Sequence, residues 1–133
     1  MEHASQNVFG VHLYRVIVPV SDIEHAARVY SEVLGAPGTR VSSGRHYFDC
    51  GGTILACYDA LADGDQQAPS ANPEHVYLAV TDLEAAARRV RAAGFAMAGD
   101  GIAMQPWGER SFYCHDPFGN PLCFVDRETI FRG

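Results

Sequence analysis

No stretch of the chain is apolar over the length a membrane span needs. Its opening, MEHASQNVFG, is polar and has no apolar core of the kind a secretory leader carries. Basic residues are also in short supply, with ten Lys and Arg against sixteen Asp and Glu and a net charge of −6. That balance speaks against a nucleic-acid surface, which needs clustered cations. Cysteine appears only at 50, 57, 114 and 123, never as a CxxC pair and always in or beside an apolar run. Such cysteines read as buried reduced thiols, because disulfide frameworks belong to shorter secreted chains. No GxSxG elbow is present, and the glycine turns CGG (50–52) and GDG (99–101) lack the following helix that a phosphate loop needs. The expected setting is soluble, reducing and cytoplasmic, with no nucleic-acid or membrane partner. At 133 residues with 47% apolar composition, a single domain over 1–133 can bury a core of its own.

The feature that is present is a repeat. RVIVPVSDIEHAAR, from Arg15, returns sixty residues later as HVYLAVTDLEAAAR, from His75, with seven identities in fourteen positions. Each copy opens on a short run rich in β-branched residues, the signature of a strand. The apolar period then lengthens: Ile23, Ala26, Ala27, Tyr30 and Leu34 fall at helical spacing, as do Leu83, Ala86, Ala87 and Val90. Ser21-x-x-Glu24 and Thr81-x-x-Glu84 read as capping boxes, and Gly35 and Gly94 as helix stops.

Strand candidates follow each helix, at about 39–42, 45–50 and 53–58 in the first half. In the second they fall at 95–98, 102–105, 111–115 and 121–126. The polar stretch ALADGDQQAPSANPE (60–74) reads as a linker. The chain is therefore two β-α-β-β-β modules, about 12–59 and 75–127. Neither is large enough to be secure alone, so the two are expected to pair.

VSDIEHAARVYSEVLG, HVYLAVTDLEAAARRV and WGERSFYCHDPFGNPLCFVD, in this order and spacing, resemble the vicinal oxygen chelate superfamily over roughly residues 12–127. That superfamily includes glyoxalase I, extradiol dioxygenases, fosfomycin-resistance enzymes and bleomycin-resistance proteins. The resemblance implies an α+β fold in which two βαβββ modules form an incompletely closed, eight-stranded, barrel-like sheet with the helices outside. It also implies a homodimer. Metal-using members take ligands from the first and last strand of each module, and the matching positions here hold Arg15, Ala56, His75 and Cys123. Alanine has no donor atom, and a guanidinium has no lone pair to offer. Catalysis by a Lewis-acid metal needs about three protein ligands, so no metal and no cofactor is expected. A zinc set of His75 and Cys123 joined by His46, His115 or Cys57 would need geometry that nothing in the sequence supplies.

Strand alternation assigns the faces. With Val16, Val18, Val20, Val76, Leu78, Val80, Phe112, Cys114, Leu122 and Phe124 under the helices, the groove receives Arg15, Ile17, His75, Tyr77, Ala79, Ser111, Tyr113, His115, Cys123 and Val125. Trp107 falls at the groove mouth, although a cap over the end of the core explains it equally well. The expected ligand-binding set is Arg15, Ile17, Ala56, His75, Tyr77, Trp107, Tyr113 and Cys123, suited to a flat or amphipathic organic molecule. The leading function is metal-independent binding of an antibiotic or metabolite. The alternative is a lyase, isomerase or dioxygenase-type enzyme that uses a divalent metal or His75 as base, although a lone strand histidine is more often structural. Arg88, Arg89 and Arg91 read as a solvated helix face.

Overall fold

The computed structural model describes residues 7–133, so residues 1–6 of the polar opening stretch lie outside the described part. Strand β1 (Arg15–Pro19) leads into helix α1 (Ile23–Leu34), then β2 (Thr39–Ser42), β3 (Arg45–Cys50) and β4 (Thr53–Tyr58). The second half repeats the plan with β5 (Val76–Val80), α2 (Leu83–Ala92), β6 (Ala96–Met97), β7 (Ala103–Met104), β8 (Arg110–His115) and β9 (Pro121–Asp126). The first module forms a sheet ordered β1-β4-β3-β2, and the second a sheet ordered β5-β9-β8-β6 with β7 also on β8. This is the expected α+β architecture of two sheets and two helices, without a closed barrel. There are nine strands because one of the eight expected positions, beside β8, is divided between β6 and β7. Both β6 and β7 lie antiparallel along the same edge of β8, through Ala96↔His115 and Ala103↔Ser111, with a turn between them.

Each helix starts one residue later than the capping boxes imply. The N-caps are Asp22 and Asp82, whose carboxylates accept from His25 N and Ala85 N; Ser21 and Thr81 precede them. Aspartate is as good a cap as serine, and its charge also favours the positive end of the helix dipole. Gly35 ends α1 with φ 74°, a left-handed conformation that glycine adopts without steric cost.

The assigned helix-side residues form the core. Val18, Val20, Tyr30, Val33, Phe48 and Leu55 from module one join Leu83, Val90, Phe112, Leu122 and Phe124 from module two in one buried cluster. Burying each such side chain stabilises the fold by roughly 1.5–3 kcal/mol. Val16 is only half-buried, because it lines a cleft of about 510 Å³ between the modules, together with Phe48, Leu55, Leu78 and Phe124. Pro19 lies in β1, an edge strand, where its missing N–H leaves no ladder bond unmade.

Polar contacts tie the halves together. Tyr30 Oη donates to Asp116 Oδ2 at 2.6 Å, and Asn120 Nδ2 donates to Pro19 O at 2.6 Å. The linker takes part as well: Asn72 Nδ2 donates to Ile17 O at 2.9 Å, and Asn72 N to Asn120 Oδ1 at 2.8 Å. Arg89, read from the sequence as solvated, reaches across to the Val33 carbonyl at 3.2 Å. Among the described residues, no helix is long and apolar enough to cross a membrane.

Candidate functional site

The faces of the two sheets turned away from the helices carry the residues of interest, in two clusters. On the first sheet the register aligns Ile17 with Ala56 and Ala56 with Tyr47. Arg15 Nη1 donates to Tyr47 Oη at 2.9 Å, and its guanidinium stands 5.1 Å from the Tyr14 ring centre and 5.6 Å from that of Tyr47. Among the described residues, Arg15 forms no ion pair. Arg45 lies over the Tyr58 ring at 4.2 Å and sends Nη1 to the same Tyr47 oxygen at 3.2 Å.

On the second sheet the register aligns Tyr77, Cys123 and Tyr113. The His75 ring meets Tyr113 edge-on at 5.0 Å and lies 6.3 Å from Tyr77. The Tyr113 phenol is pushed up to about 12, first by loss of hydration and then by the neighbouring Cys123 and Tyr77. It therefore stays a neutral donor at physiological pH. Trp107 Nε1 donates to Glu109 Oε1 at 2.9 Å. With Tyr77, Ala79, Val125 and Phe131, Trp107 borders a second cavity of about 480 Å³.

The expected binding residues are thus divided. His75, Tyr77, Tyr113 and Cys123 come together, and Arg15, Ile17 and Ala56 come together on the other sheet. Among the described residues, no hydrogen bond, ion pair or ring contact joins the two groups. Ala56 and Cys123 are fully buried, each lying in register beside a tyrosine, Tyr47 or Tyr113. They form the floor beneath the rings. Tyr47 and Arg45 are functional candidates that sequence reasoning missed. The alternation of RHYFDC would have placed both on the open face once β3 was paired with β4.

The donor set does not suit a metal. Among the described residues, no three His, Cys, Asp or Glu side chains gather to hold an ion. Of the residues imagined around zinc, His46 is turned to the Pro37 carbonyl at 2.9 Å, and Cys57 lies in the core on the helix side. Burial pushes the Cys57 and Cys114 thiols up to about 12, and Cys123 also above the ordinary range. Thiols so held are poor sources of the thiolate that metals and electrophiles need. Only Cys50, which is half-buried, should react with a small thiol reagent in the native protein at pH 8, and all four on unfolding. Rapid native labelling of Cys123, read by mass spectrometry, would show the floor to be open.

Residues 12–124 match the family model described as the Glyoxalase/Bleomycin resistance protein/Dioxygenase superfamily. The chain belongs to this superfamily. Solved members share its fold. A glyoxalase/bleomycin resistance protein from Albidiferax ferrireducens superposes with TM-score 0.74 at 20% identity, covering 85% of this chain and 96% of its own. A glyoxalase-related enzyme from Fulvimarina pelagi gives TM-score 0.74 at 17% identity, covering 92% and 99%. A lactoylglutathione lyase from Agrobacterium tumefaciens gives TM-score 0.66 at 18% identity, covering 88% and 94%. A comparison with functionally curated proteins finds no match.

Proposed function

We propose that this glyoxalase-superfamily protein binds a small organic ligand, an antibiotic or a metabolite, without a metal. The ligand lies against the tyrosine-rich faces of the sheets. The observation that carries this reading is what surrounds the four ligand positions. Arg15 and His75 are packed among Tyr14, Tyr47, Tyr77 and Tyr113, while Ala56 and Cys123 form a floor without a hard donor. Aromatic walls with a few polar points suit a flat or amphipathic molecule. Arg15, with no carboxylate partner among the described residues, is set to meet an anionic or strongly accepting group of the ligand. His75 serves as a second polar contact.

Mass spectrometry of compounds co-purified with the protein, combined with elemental analysis, tests this directly. The expected result is an organic ligand that raises the melting temperature, and no stoichiometric metal. At one hundred times its Kd, a ligand adds about 2.7 kcal/mol to stability. Stoichiometric iron, manganese, nickel or zinc retained through dialysis would overturn the reading in favour of the superfamily's metal enzymes.

The same proposal places the protein in the cytoplasm as a homodimer. Val8, Phe9, Val11, Leu13 and Tyr14 form an exposed apolar run beside β1, each more than half exposed. An apolar run of that kind is a natural surface for a second copy. Light scattering at tens of micromolar should give twice the chain mass; a monomer at that concentration would count against the pairing.

A further inference from the structure

A phenol oxygen has one proton to give and two lone pairs to receive. At Tyr47 both lone pairs are occupied, by Arg15 Nη1 at 2.9 Å and Arg45 Nη1 at 3.2 Å. Neither guanidinium can accept a hydrogen bond, so the hydroxyl proton has no use in either direction. Among the described residues, the Tyr47 oxygen makes no other hydrogen bond. On the β4 side its row, Ala56 and Ile17, offers only apolar side chains, and on the β2 side it stands beside Thr39.

Of the carboxylates around the cluster, Asp63 alone pairs with one of its arginines among the described residues. Asp63 takes Arg45 Nε at 3.4 Å, Ser42 Oγ at 2.6 Å and Gly44 N at 2.9 Å. Asp49 accepts from Gly52 N at 2.7 Å, and Asp65 accepts from the Tyr58 hydroxyl. The result is two guanidinium groups and one outward O–H gathered on the open face, where Arg45 shares its charge with Asp63 and Arg15, among the described residues, has no ion pair.

We infer that Tyr47, Arg15 and Arg45 together form an oxyanion subsite, which holds a carboxylate or phosphate-type group of the organic ligand with the Tyr47 hydroxyl as its third donor. This rests on the ligand-binding reading above and adds to it two residues and the chemical class of the ligand's charged end. Both Tyr47 and Arg45 act by direct contact with the anion. Fixed donors aimed at one oxygen need no rearrangement on binding, which favours selectivity for the anion over a neutral isostere.

The test uses the full chain and three probes of matched shape: benzoate, phenyl phosphate and neutral benzamide. All ten cations of the chain are arginines, because lysine is absent. The side-chain N–H signals in a nitrogen-15 spectrum therefore report guanidinium groups without lysine overlap. Benzoate or phenyl phosphate should shift the Arg15 and Arg45 signals, and which of the two binds more tightly identifies the anion. Benzamide should bind at least about tenfold more weakly, the lower end of what a charge-assisted hydrogen bond contributes. Tyr47→Phe should weaken the preferred anion by about tenfold while leaving benzamide unchanged. Arg45→Lys keeps a charge for Asp63 but loses the fork, and should do the same. If both variants keep wild-type affinity for the anion while Arg15→Met loses it, the subsite is wrong and the ligand-binding reading stands. If benzamide binds as well as the anions, or no probe moves either arginine, the subsite is wrong and the anionic reading of Arg15 falls with it.

Discussion

Asp116→Ala is expected to lower the free energy of unfolding by about 3–5 kcal/mol, the usual cost of breaking a buried charged network by removing one member. Asp116 is 4% exposed, and two of its three partners, Tyr30 and Asn120, are not exposed at all. Its carboxylate accepts from Tyr30 Oη at 2.6 Å, Asn120 N at 2.8 Å, Phe118 N at 2.9 Å and Asn120 Nδ2 at 2.9 Å. Burial, and then the Asp116 charge, hold the Tyr30 phenol well above its ordinary range, so it is a neutral donor at physiological pH. Alanine would strand those donors in a space closed to water. Tyr30→Phe removes one hydrogen bond and leaves three donors on the carboxylate, so it should cost only about 1–2 kcal/mol. Urea denaturation of the two variants gives the comparison. A cost below about 1 kcal/mol for Asp116→Ala would mean that water enters and replaces the lost acceptor.

The second large effect concerns binding. Arg15→Met should weaken the natural ligand by roughly 10- to 150-fold, the equivalent of one charge-assisted contact of about 1.5–3 kcal/mol. Methionine keeps much of the apolar stem of the side chain while removing the charge. Because Arg15 is exposed and forms no ion pair among the described residues, folding stability should change by no more than about 0.5 kcal/mol. Calorimetric titration and a melting curve on the same sample separate the two quantities. Unchanged affinity with a lowered melting point would make Arg15 part of the scaffold, held for its stacking on Tyr14 and Tyr47.

Much of this was readable before any coordinates. The sixty-residue repeat carried the fold, because strand and helix periods differ and the two copies agree on where one gives way to the other. The weak strand at 95–98 was real but short, and the structure shows why: its place on β8 is shared with β7. What could not be read was contact between distant residues. DPFGN has the composition of a turn, and it is one, yet Asp116 reaches Tyr30 eighty-six positions away. No local pattern announces that bond. The burial of Ala56 and Cys123 has the same origin, since it depends on which residue of the adjoining strand falls beside each. At the helix starts the ambiguity was chemical. Serine or threonine followed by aspartate offers two adequate caps in succession, and the aspartates took the role.

The bonds that join the halves do not follow the symmetry of the repeat. The counterpart of Tyr30 sixty residues on is Val90, which has no hydroxyl, and Asn120 of the second half and Asn72 of the linker reach β1 of the first. The molecule is built from a duplicated plan, yet its parts are no longer interchangeable. A chain assembled from two second modules would set Val90 against Asp116 and leave that carboxylate without its phenol. A chain assembled from two first modules would lack Asn120 to hold the Pro19 carbonyl. The repeat visible in the sequence is thus a record of form, and the two modules now depend on each other as lock and key do.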